Sequence, residues 1–166
     1  EDDWEQLLWY IKIKFSDSFA GYAVKLEHGE AKGLHAHSVF FLDGNVVRTD
    51  ARIGRIFGEY WESEVTEGLG VHFNCNTSDY KATLKVCGLG TFTGQEPAFR
   101  DGIWIIADYL SKPDVVVRLM LPERTKIFRR GSLSEKQKLK LEAVRKKQTI
   151  GIIDPQPKHE QPRVLA

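Results

Sequence analysis

Apolar residues recur at helical spacing from the start of the chain. Trp4, Leu7, Leu8 and Ile11 fall on one face of a helix over residues 4–15. Ser16-Asp17-Ser18 ends it. Residues 22–28 and 34–42 then read as two strands joined by the glycine-bounded turn 29–33, a hairpin. The Val39-Phe40-Phe41-Leu42 run marks the second strand as largely buried, and Asp43-Gly44-Asn45 is a further turn. Ile53, Ile56, Phe57, Tyr60 and Trp61 share a face, which predicts an amphipathic helix over 50–65. Residues 71–75 and 83–86 predict short strands, and 88–97 a glycine-rich loop. Residues 103–112 predict a helix closed by Pro113, because the residue before proline disfavours helical geometry.

An apolar strand is predicted over 115–121 and a loop over 125–131. Ser134 caps a charged helix to about Lys147. The last residues hold three prolines among few apolar positions, the pattern of a disordered tail or linker. No internal repeat is present. Helices mixed with a hairpin and short strands predict an α+β fold, with a mainly antiparallel central sheet flanked by helices. The expected organisation is one domain over 1–131, a charged helix over 132–148 and a flexible tail or linker over 149–166.

Composition adds charge asymmetry. The 166 residues are 42% hydrophobic and 11% aromatic, enough for a core, and 28% charged, ordinary for a water-soluble domain. The formal net charge is only +1, but residues 112–147 hold 12 Lys/Arg against 4 acids. A basic carboxyl-terminal third on a slightly acidic body suits contact with phosphate. Cys75 and Cys87 are the only cysteines and lack metal-ligand spacing, which fits a reducing cytoplasm. No secretory leader is evident, and no apolar run approaches the roughly 18 residues of a membrane helix. The chain opens on Glu1 rather than Met, as an excised domain would.

The candidate chemistry starts at His35-Ala36-His37. Histidines two apart on a strand point the same way, with Ala36 and Ser38 facing the other side. In the predicted hairpin Glu27 lies across the ladder from His35. A carboxylate and two imidazoles form a mixed N/O ligand set suited to Mn²⁺ or Mg²⁺, able to polarise a phosphate oxygen. His28 faces away from Glu27, and His72 and His159 lack partners. Further on, Tyr109 and Lys112 are three apart on the predicted helix, away from its stripe of Ile103, Ile106, Ala107 and Leu110. A tyrosine hydroxyl becomes a useful nucleophile when a metal polarises the phosphate and a cation balances charge.

Leu26-Glu27-His28-Gly29, Gly33-Leu34-His35-Ala36-His37 and Tyr109-Leu110-Ser111-Lys112 occur in the order seen in HUH-type single-strand endonucleases. More narrowly, residues 4–131 resemble the replication initiators of filamentous phages (inovirus type) and related prophage proteins. The basic segment with Arg124, Lys126, Arg129 and Arg130 resembles the one after the tyrosine helix in that family. The resemblance implies an HUH fold of ferredoxin-like, palm-like type. It implies that Glu27, His35 and His37 hold Mn²⁺ or Mg²⁺ against a scissile phosphate, and that Tyr109 attacks to leave a 5′-phosphotyrosyl link and a free 3′-hydroxyl. The implied role is initiation of rolling-circle replication of a phage or related mobile element. The implied partners are single-stranded origin DNA, possibly hairpin-flanked, and a host or phage helicase and polymerase. The implied setting is the bacterial cytoplasm, with a monomer favoured and no membrane.

Three departures stand out. His28 replaces the family's usual aromatic, no second tyrosine lies near Tyr109, and no amino-terminal strand precedes Trp4 unless it lies within 11–15. A non-catalytic DNA-binding module, or a transposase or relaxase of the same class, are the competing readings.

Overall fold

The computed structural model describes residues 2–131, together with Lys136 and Leu139. The chain divides into two compact units, Glu1–Ser132 and Leu133–Ala166. The charged helix from Ser134, the 149–166 tail and His159 lie outside the described residues, Lys136 and Leu139 excepted.

The first unit is α+β, built on a three-stranded antiparallel sheet in the order β2-β1-β3: β1 Phe19–Gly29, β2 Gly33–Leu42 and β3 Phe128–Gly131. β1 and β2 form the expected hairpin. It re-enters the sheet at Gly33, whose φ of 62° is open to glycine without strain. The helices are α1 Asp2–Lys14, α2 Asp50–Tyr60, α3 Ser78–Thr83, α4 Pro97–Ser111 and α5 Val115–Met120, with a π-helical turn, Trp61–Val65, following α2.

Strand alternation gives the sheet two different faces. Tyr22 of β1 and Phe40 of β2 are cross-strand partners on one of them. The Trp4 ring of α1 lies 5.8 Å from Tyr22 and 5.9 Å from Phe40, and Phe57 of α2 lies 5.0 Å from Phe40. Leu7, Leu8 and Ile11, the stripe read from the sequence, are buried, as are Ile53 and Phe57 of α2. The opposite face carries Lys25 and Glu27 of β1 with their partners His37 and His35 of β2. α4 covers it: Ile103, Ile106 and Leu110 share a cleft of about 140 Å³ with Ala23, Val39 and Phe128. One face therefore holds the core and the other is free to hold chemistry.

Several predicted elements are different in the structure. Residues 71–75 form no strand; the segment lies irregular against α2 and turns at Cys75. His72 and Asn74 insert where α2 has glycine: a Cβ on Gly58 would lie 2.0 Å from His72 Cδ2, and one on Gly54 2.5 Å from Asn74 Oδ1. Its apolar residues face outward, Val71 being 88% and Phe73 72% exposed. His72 also has a partner: its backbone N–H donates to Glu62 Oε1 at 2.8 Å, and its Nδ1 lies 2.9 Å from the same oxygen. Residues 83–86 are no strand either, because Thr83 ends α3 and Leu84 is its C-cap.

The apolar run 115–121 is helical (α5) rather than a strand. Asp114 Oδ1 accepts the Val117 N–H at 3.0 Å and starts a helix there. The free edge of β1 is taken instead by β3, in the segment expected to be a loop, where Lys25 pairs with Phe128 and Val24 with Arg129. Charged residues on an edge strand are a common guard against stray pairing, and they hide its strand character in the sequence. Residues 11–15 hold no strand, since α1 continues to Lys14.

Candidate metal centre and nucleophile

β1 lies between the other two strands, so both faces of its backbone ladder are fixed. The register places Glu27 opposite His35 and Lys25 opposite His37. Four side chains thus project from one patch of sheet. One ligand atom each from Glu27, His35 and His37 lies within 4.8 Å of the other two. Glu27 Oε2 is 3.0 Å from His37 Nε2 and 3.8 Å from His35 Nε2. Such spacings fit three donors around one divalent ion, whose metal–ligand bonds run roughly 2.0–2.2 Å. Two imidazoles with one carboxylate fit Mn²⁺ better than Mg²⁺, which prefers oxygen and water.

The histidines are prepared for that role. His35 Nδ1 lies 2.9 Å from the Gly33 carbonyl, which only accepts, so Nδ1 carries the proton. That bond fixes the ring with Nε2 facing Glu27, a common ordering of metal-binding histidine. Burial holds the His37 imidazole below its ordinary pKa; Glu27 opposes this, while His35, Lys32 and Lys25 reinforce it. A neutral ring is the form that ligates. Burial pushes the Glu27 carboxyl up, but hydrogen bonds from Lys25 and Tyr109 and the charges of His37 and Lys25 together hold it below the usual range.

α4 delivers Tyr109 onto the same patch. Its hydroxyl donates to Glu27 Oε2 at 2.6 Å and lies 2.9 Å from His37 Nε2. The rings of Tyr109 and His37 meet edge to face at 5.0 Å. Tyr109 as a residue is nonetheless 40% exposed. Its pKa is pushed up to about 12, first by burial, then by the hydrogen bond to Glu27 and by that carboxylate's charge. No family model, curated protein or solved structure matches this chain. The geometry of this site is therefore its own best guide.

The other sequence candidates separate. Lys112 does not share a helical face with Tyr109. α4 stops at Ser111, Lys112 is extended before Pro113, and its ammonium pairs with Asp108 at 3.1 Å while 62% exposed. The cation at the site is Lys25, which sequence reasoning missed: its ammonium hydrogen-bonds Glu27 Oε1 and the Tyr109 carbonyl. The available signal was its spacing of two from Glu27 on one strand. Arg124, Lys126 and Arg130 are exposed. Arg130, opposite Ala23, shares the face of the site, whereas Arg129, opposite Val24, turns to the core side and pairs with Glu5 at 3.5 Å.

Beside Lys25, a groove of about 440 Å³ has apolar walls from Leu110, Ile127 and Phe128, with the cations Lys112 and Arg118 and the carboxylate Asp114 also lining it. No helix among the described residues is long and apolar enough to cross a membrane.

Proposed function

We propose that this chain nicks and rejoins single-stranded DNA through Tyr109, assisted by a divalent metal on Glu27, His35 and His37. The observation that carries the reading is the Tyr109 hydroxyl, held 2.6 Å from Glu27 and 2.9 Å from His37 within the three-donor set. A tyrosine packed for the core has no need of that address. Bound there, Mn²⁺ or Mg²⁺ would polarise a phosphate oxygen and offset its developing charge. Tyr109 attacks the phosphorus in line and loses its proton to solvent; the bond to the 3′-oxygen breaks, and that oxygen takes up a proton from solvent. The products are a 5′-phosphotyrosyl link and a 3′-hydroxyl; reversal rejoins the strand. Chemistry of this kind needs positioning and charge stabilisation above all. The sheet and α4 offer the first, and the groove beside Lys25 suits a base with phosphates on either side.

Together with the motif order, this favours initiation of rolling-circle replication for a phage or related mobile element. The substrate is single-stranded origin DNA, possibly hairpin-flanked, with a helicase and polymerase supplied by host or phage in the bacterial cytoplasm. A monomer is the favoured state, since a single chain can supply both the donor set and Tyr109.

The test is a denaturing-gel assay with Mn²⁺ and 3′-labelled single strands that include hairpin-flanked sites. A covalent adduct should form, vanish in EDTA and be absent from Tyr109→Phe. An adduct that survives Tyr109→Phe rules out this nucleophile. Salt-sensitive DNA binding that ignores EDTA, with no adduct, favours a non-catalytic binding module on the same basic surface.

A further inference from the structure

We infer that Lys25 is a positioning residue that fixes the metal carboxylate and the nucleophile's helix from one buried ammonium; this rests on the nicking function proposed above. Lys25 is 4% exposed, and a lysine that deep persists only when its charge is paired. Its Nζ donates to Glu27 Oε1, donates to the Tyr109 carbonyl at 3.3 Å, and sits 5.2 Å from the centroid of the Tyr109 ring. An ammonium has three donors on a flexible stem, so it can serve acceptors on two elements at once.

Each contact has a consequence at the site. With Oε1 taken by Lys25, Glu27 presents a single oxygen, Oε2, to His35, His37 and the Tyr109 hydroxyl. The carboxylate cannot swing to offer both oxygens without releasing the ammonium. The Tyr109 carbonyl belongs to the last turn of α4, where its backbone partner is the Lys112 N–H at a long 3.4 Å and a cation is favourable. Lys25 therefore clips the end of α4 to β1 at the residue that carries the attacking hydroxyl. It acts through Glu27 and Tyr109 and need not touch the phosphate.

The experiment compares wild type with Lys25→Met, a side chain of similar length without charge. Single-turnover adduct formation is measured at saturating Mn²⁺ and DNA, and DNA affinity is measured separately. The expected result is a 10- to 100-fold slower saturated rate, typical for loss of a partner that orients a metal ligand, with DNA affinity within about threefold of wild type. A residue that only stabilised the fold would leave the saturated rate of the folded fraction unchanged. A wild-type rate in the folded variant overturns the inference, and so does a loss confined to DNA affinity. Should Lys25→Met melt below the assay temperature, Lys25→Gln, polar but uncharged, takes its place in the same comparison. Failure of the wild type itself to form an adduct overturns the nicking function, and this inference with it.

Discussion

Asp114 uses both oxygens of one carboxylate. Oδ1 accepts the Val117 N–H at 3.0 Å at the start of α5, and Oδ2 accepts the His28 N–H at 3.0 Å near the end of β1. These two backbone donors hold its pKa below the ordinary value of 3.8. A depressed folded pKa means that the fold favours the charged form. The contribution is complete above the unfolded pKa and is lost as pH falls through the folded one. Asp114→Asn should therefore lower Tm at pH 7, and the gap to wild type should narrow below about pH 4. A gap that stays constant down to pH 3 would show that the carboxylate charge is not what matters. The same scale explains what could be read in advance. His35 and His37 were legible because strand period two leaves no choice of direction, and Glu27 because hairpin register follows from the turn. Lys25 was not, since lysine reads as solvent-exposed until α4 is docked over it. Lys112 looked paired with Tyr109 only on a helix that continues one residue further than α4 does.

At the level of elements, the fold was legible where amphipathic period and burial agree, as in α1 and α2; the β1–β2 hairpin followed from its turn, but β2, expected to be largely buried, holds no fully buried residue and leaves Phe41 44% exposed. The fold was illegible where a neighbour decides. The 71–75 segment and α2 explain each other: glycines on the helix accept polar side chains from an irregular strap, and no single-element pattern shows that. α4 began six residues earlier than its apolar stripe implied, because Pro97 at its first turn starts the helix and Gly102 reads as a breaker. Gly102 is there for contact. A Cβ on it would lie 2.4 Å from Gly88 N and 2.5 Å from Gly88 Cα, backbone atoms that cannot rotate aside. Gly102→Ala should gain about 1 kcal/mol of helix propensity and lose on the order of 1–3 kcal/mol to overpacking. The net expectation is a lower Tm by calorimetry and, on the proposed function, slower adduct formation, because α4 carries Tyr109. A raised Tm would mean that the loop yields freely.

For the molecule as a whole, the site is a product of folding. Glu27 and Tyr109 are 82 residues apart in sequence, yet hydrogen-bonded. The donors sit on two strands whose register depends on the entire hairpin, and α1 and α2 pack on that hairpin's far face. An unfolded chain presents no such cluster, so a metal held by it binds the native state preferentially and must stabilise it. Saturation to 100 times the dissociation constant contributes about 2.7 kcal/mol. For a domain of this size that corresponds to a Tm increase of roughly 5–10 °C. Mn²⁺ should produce this shift in the wild type and Mg²⁺ a smaller one, given two nitrogen donors in three. His35→Ala, which removes a donor but leaves the core face of the sheet untouched, should lose most of the Mn²⁺ shift while melting near the wild-type temperature without metal. Differential scanning calorimetry on the two proteins, with and without each ion, reads all of these at once. An equal Mn²⁺ shift in His35→Ala would place the ion elsewhere on the surface. No shift in either would leave Glu27, His35, His37 and Tyr109 as a hydrogen-bonded cluster without a metal, and the proposed attack on phosphate without its Lewis acid.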